Sequence, residues 1–138
     1  MSQFPLQLKQ YFFTQIECNA NPDYDPTANT MGSKVDCKFA VNPVDGQEDA
    51  LGIELAVWVD ADASDNPPYS FRISAFGVLN IAPGTAIEAA TQLANVLGAQ
   101  ILVGAVREEI ARITSRGPWG AFMLPIIPLA PVSPQLIE

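Results

Sequence analysis

Residues 105–132 read AVREEIARITSRGPWGAFMLPIIPLAPV, the pattern of a helix running into an abrupt stop. Leu102, Val106, Ile110 and Ile113 recur at helical spacing and define one apolar stripe, while Arg107, Glu108, Arg112 and Arg116 point elsewhere. Gly117 is expected to close the last turn in the left-handed conformation. Arg112 and Arg116 complement the negative end of the helix dipole, and Pro118 bars continuation. Beyond the stop, Phe122, Leu124, Ile126, Ile127 and Leu129 form an apolar strip punctuated by Pro125, Pro128 and Pro131. That much proline excludes a helix or a central strand, so the strip is extended.

Moving towards the N-terminus, Gly98 interrupts an Ala-rich run that begins after Thr85. Thr85 with Glu88 three positions later has the form of a capping box, and the helix is expected to be bent or broken near Gly98, continuing from about Gln100 to Ser115. The first half of the chain instead has the period of strands. Leu6, Leu8, Phe12, Ile16 and Cys18 alternate with Gln7, Lys9, Gln15 and Glu17, and Val35, Cys37, Phe39 and Val41 with Asp36, Lys38 and Asn42. Leu51, Ile53, Leu55, Val57 and Val59 mark a third strand with Glu54, Trp58 and Asp60 opposite. Tyr69, Phe71 and Ile73 open a fourth, whose alternation slips near Ala75, Phe76 and Gly77 as a bulge or a close backbone approach would make it do. Segments rich in Asn, Asp, Pro and Gly separate these runs: a long loop over 19–33, Pro43-Val44-Asp45-Gly46, and Asp65-Asn66-Pro67-Pro68. The expected fold is α+β: a four-stranded antiparallel sheet followed by a long, bent or broken helix packed on one side, in a single domain spanning 1–138.

Composition narrows the function. A net charge of -8, with the seven basic residues scattered, excludes nucleic acid as a partner and disfavours anionic membranes. The strip after the helix is much shorter than the roughly 20 apolar residues a bilayer span needs, so no membrane insertion is expected. Met1-Ser2-Gln3-Phe4-Pro5 lacks a basic start followed by a long apolar region, so the chain is expected in the cytoplasm, with Cys18 and Cys37 as free thiols. A hydrophobic fraction of 49% is generous for a small monomer and favours oligomerisation.

Catalytic chemistry finds no foothold. Histidine is absent, which removes the commonest general base and the commonest transition-metal ligand. Cys18 and Cys37 lie on the apolar side of strands, where a thiolate is disfavoured, and Glu108 and Glu109 are adjacent in sequence and so diverge on a helix. Asp60, Asp62 and Asp65 resemble the start of a calcium loop, but Asp65 stands where glycine is needed and Phe71 where a bidentate glutamate belongs. Gly77, Gly84, Gly98 and Gly104 are isolated and form no phosphate-cradling loop. No catalytic residue, cofactor or metal is expected, and the chain reads as a non-enzyme. Trp58 and Trp119 are candidate aromatic anchors for a partner, with Trp58 equally readable as covered sheet surface.

The order of motifs resembles the SecB family of protein-export chaperones. Leu97-Gly98-Ala99, Ile101-Leu102, Ala105-x-Arg107-Glu108 and Ser115-Arg116-Gly117 lead into Leu129-Ala130-Pro131-Val132 in the family's order and near its spacing. Phe4 to Pro22, Val35 to Val41, Leu51 to Ala61 and Tyr69 to Ile81 are similar to its four strands. The resemblance implies an ATP-independent holdase that binds unfolded or precursor polypeptides in apolar grooves. It also implies a cytoplasmic homotetramer, a dimer of dimers, serving protein export and translocation. By position, Val35, Cys37 and Phe39 match groove-lining residues, and the strip with Phe122, Leu124 and Ile126 is expected to extend the same surface. The family docks the SecA motor ATPase through acidic residues on the first and fourth strands, but this chain has Gln15 and Asn19, and Ser70 and Arg72, at those positions. Arginine in place of a carboxylate inverts the local field, and Pro134 leaves little room for the family's final helix, so coupling to the motor stays open. The alternative function is a SecB-like chaperone dedicated to a single client such as an antitoxin, without coupling to that motor.

Overall fold

The computed structural model describes residues 5–30, 32–60 and 62–127. The four alternating segments form strands β1 (Leu6–Ala20), β2 (Val35–Val44), β3 (Gln47–Val59) and β4 (Tyr69–Ile81), all antiparallel, in the order β1-β4-β3-β2. Asp45 and Gly46 make the β2–β3 turn, with Gly46 at φ 76°, a conformation that costs glycine no Cβ clash. Pro43, expected in that turn, lies inside β2, where an edge strand tolerates its missing N–H.

Helix α1 (Ile87–Leu93) continues through a π turn (Ala94–Gly98) into α2 (Ala99–Thr114). The helix is therefore continuous across Gly98, which keeps helical dihedrals; its interruption is one wide turn. The buried positions show why. Ala90, Ala94, Gly98, Leu102, Val106, Ile110 and Thr114 recur every four residues, whereas a regular α-helix turns in 3.6. The wide turn takes up part of that mismatch where the helix passes Ala94 and Gly98. Gly98 allows close approach, since a Cβ there would run into Ile53 Cδ1 and force that side chain to shift. By length and composition Ile87–Thr114 is apolar enough to cross a membrane, but its stripe is buried against β3 and β4.

The core lies between this helix and one face of the sheet. Phe39, Leu51, Ile53, Leu55, Val57, Ile73 and Leu79 from the strands meet Leu102, Val106 and Ile110, all nearly fully buried. Each such side chain contributes about 1.5–3 kcal/mol relative to an exposed one. Two local expectations need correction. Thr85 is not the N-cap: Ala86 holds that position with no side-chain cap, because Thr85 is committed to a turn through its N–H to Ala82 O at 3.2 Å. Of the two readings of the slip in β4, the bulge falls on its partner, with register shifts in β1 between Leu8 and Gln10 and between Phe13 and Gln15, while close approach holds at Gly77, where a Cβ would lie 3.2 Å from Leu102 Cδ2. These shifts regroup β1. Leu6, Leu8, Tyr11, Phe13, Ile16 and Cys18 pair with residues on the helix-covered face of β4, whereas Phe12 pairs with Phe76 on the outer face.

Candidate polypeptide-binding surface

Residues 121–127 leave the helix end as an extended strap. Phe122 N–H donates to Thr114 Oγ1 at 2.8 Å, and Arg107 Nε donates to Leu124 O at 3.3 Å, so the strap runs back along α2. Phe122 packs on Phe71 with ring centroids 5.4 Å apart. Leu124 is buried, 5% exposed, while Met123 and Ile126 stand in water at 67% and 94%. Leu129 and the Ala130-Pro131-Val132 motif lie outside the described residues.

The start of the strap is latched by Tyr69. Its hydroxyl donates to Gly120 O at 2.8 Å and accepts the Trp119 N–H at 3.1 Å; Trp119 Nε1 donates to Asn21 O at 2.9 Å, and Tyr24 packs on the Trp119 ring at 5.1 Å. Trp119 thus ties the helix end to the long β1–β2 loop. Gly117 is required for a reason other than the one expected. Its φ is not positive; a Cβ there would lie 2.5 Å from the Tyr69 hydroxyl, and it is Gly120 that takes the left-handed conformation, at φ 79°.

Val35 and Cys37 on β2 are half-buried on the helix-covered face, whereas Phe39 is 0% exposed in the core. The register places Val35 against Val59, beside the Trp58–Arg72 pair, so Val35 and Phe71 lie at the same end of the sheet. The half-buried β2 side chains and Phe122 therefore share one end of the helix-covered face, with Phe39 beneath. Burial pushes the thiols of Cys18 and Cys37 up from their ordinary pKa, with Asp36 adding to the effect on Cys37, and both are free. Neither is primed as a nucleophile.

Gln15, Asn19, Ser70 and Arg72 come together on the outer face: Gln15 pairs with Ser74, Asn19 with Ser70, and Arg72 with Glu17 and Trp58. Arg72 lies over the Trp58 ring, 5.0 Å from its centroid, so Trp58 is a half-covered platform for that cation. Beside it, Ala56 and Ser74 floor a depression of about 540 Å³ walled by Phe12, Phe76, Lys38 and Arg72. Phe76 stands over Gly52, where a Cβ would lie 2.8 Å from the ring. Large apolar side chains also line the free edge and the helix: Tyr11, Phe12 and Ile16 on β1, and Ile87, Val96, Leu97 and Ile101 on the helix, are all exposed. Among the described residues, no group of three or more His, Cys, Asp or Glu could hold a metal ion.

Sheet order, single-sided helix and trailing strap define a SecB-like fold. The SecB-like chaperone Rv1957 of Mycobacterium tuberculosis, solved in complex with a ChAD peptide from the Rv1956 HigA1 antitoxin, matches with a TM-score of 0.63. The match covers 90% of this chain and 91% of that one at 15% identity. A Streptococcus agalactiae protein of unknown function matches with a TM-score of 0.45 over 91% of this chain and all of its own, also at 15% identity. No family model and no curated protein sequence matches the chain.

Proposed function

We propose that this chain is an ATP-independent holdase chaperone, a non-enzyme that binds non-native polypeptides on apolar surface and keeps them from aggregating. The observation that carries the reading is the amount of large apolar side chain left in water on a subunit whose core is already closed. Tyr11, Phe12 and Ile16 on an unpaired strand edge, Val96 and Ile101 on the helix, and Met123 and Ile126 on the strap are exposed. Surface of that kind marks interaction sites. The β1 edge and the helix suit a second copy of the chain, with the homotetramer as the assembly. Val35, Cys37 and Ile126 are the client-facing residues, Phe39 joins them only where the surface opens, and Phe122 and Leu124 lie over the same surface. The cytoplasm is the compartment in this reading.

A dedicated client, such as an antitoxin, is favoured over general export. The fold is shared with a chaperone solved holding an antitoxin peptide. Arg72 also puts a cation at a position where a basic motor would need a carboxylate. The test is aggregation of a reduced, unfolded model protein followed by light scattering. Suppression at near-stoichiometric tetramer is expected; unchanged aggregation at excess chaperone would refute the proposal. A pull-down with the SecA motor is expected to be weak, and tight binding would restore the export reading.

A further inference from the structure

We infer that residues 122–124 are an internal stand-in for the client, filling a site that reads an extended chain by its backbone, and that a bound polypeptide takes their place. This deepens the chaperone reading and rests on it. The Thr114 hydroxyl is buried and donates to Ile110 O at 2.5 Å, which leaves its oxygen to accept one N–H, now that of Phe122 at 2.8 Å. Two turns earlier on α2, the Arg107 guanidinium makes no ion pair among the described residues and donates to a carbonyl, now that of Leu124. The site thus takes an N–H from one residue and a carbonyl from the second residue after it. Neither contact depends on side-chain identity.

Specificity comes from the two side chains that face inwards. Phe122 packs on Phe71 and Leu124 is buried, while Ala121, Met123 and Pro125 between and around them are exposed. This is the two-residue alternation of an extended chain. The ligand class follows: an unfolded segment with apolar residues at i and i+2, the one at i not proline, because proline has no N–H for Thr114. The strap can be exchanged because a client of this pattern restores the same burial against Phe71 and the same two hydrogen bonds. Among the described residues its hydrogen bonds are two, both to side chains of α2, and Pro125 has no N–H with which to prolong the attachment.

Hydrogen exchange on the full-length protein, with and without saturating reduced, carboxymethylated α-lactalbumin, tests the displacement. The Phe122 amide is expected to exchange at least about tenfold faster when the client is bound, having lost its acceptor; equal or slower exchange would overturn the inference. The double variant Phe122→Ala, Leu124→Ala weakens the stand-in and is expected to lower the client Kd by at least about threefold, since a larger fraction of the protein is binding-competent. Weaker or equal binding would overturn it. If that variant loses its helical circular dichroism, the exchange arm decides alone. Client binding with an unmoved Phe122 amide would reject the stand-in only, whereas no client binding to the wild type would reject the chaperone reading as well.

Discussion

β3 and β1 are the two longest-paired neighbours of β4, yet they live in different surroundings. From Ala50 to Val59, β3 is buried at every position but Glu54 and Trp58, whereas β1 is buried only at Leu6. Both strands are rich in large apolar residues. What differs is position: β3 is paired on both sides beneath the helix, while β1 is an edge with one neighbour and two bulges. The comparison separates apolar content that folds the subunit from apolar content left over for other chains. The strap repeats the division within seven residues, with Leu124 on the first side and Ile126 on the second.

The comparison breaks if core and edge substitutions cost the same. Phe39→Ala, at a fully buried position beside β3, is expected to lower unfolding free energy by about 3–5 kcal/mol in chemical denaturation. Tyr69→Phe, which removes the donor to Gly120 and the acceptor for the Trp119 N–H, is expected to cost about 1–3 kcal/mol. A shift in Trp119 fluorescence at native conditions would accompany it. Ile126→Asp is expected to change stability by less than about 0.5 kcal/mol while weakening suppression of aggregation several-fold; retained suppression would remove the strap from the client surface.

The smallest effect expected is on thiol chemistry. With the folded-state pKa of Cys18 and Cys37 raised by burial, the neutral thiol is the favoured form, so their contribution to stability is complete below the unfolded value and fades as pH rises through the folded one. Reaction with a thiol reagent at pH 8 is expected to be slower in the folded than in the unfolded protein. Equal rates would show that the apolar surroundings give no protection.

Much of this was legible in the residues. Strand β4 runs from Tyr69 to Ile81 as the alternation and flanking prolines require, and the helix after Gly84 and the extended strap follow from periodicity and proline. The faces of β1 were not legible, because a bulge shifts the period without leaving a composition mark; Phe12 reads as inward until its pairing with Phe76 is known. Nor was the wide turn at Ala94–Gly98, since only the sheet beneath demands a stripe of period four. The latch at Trp119 joins residues 98 apart through an indole N–H and a backbone oxygen, a contact with no local signal. In the candidate site, residue type marked Val35, Cys37, Phe39, Phe122, Leu124 and Ile126 as apolar. Which of them meet water is settled by tertiary packing alone: Phe39 and Leu124 are covered, Ile126 is not.

Capture of chains before they fold by leftover apolar surface can be read in a calorimetric titration with one model protein in two states, native and permanently unfolded. Saturable binding of the unfolded form with a negative heat-capacity change is expected, and none of the native form. Failure to bind the unfolded form, or equal binding of both, would contradict it.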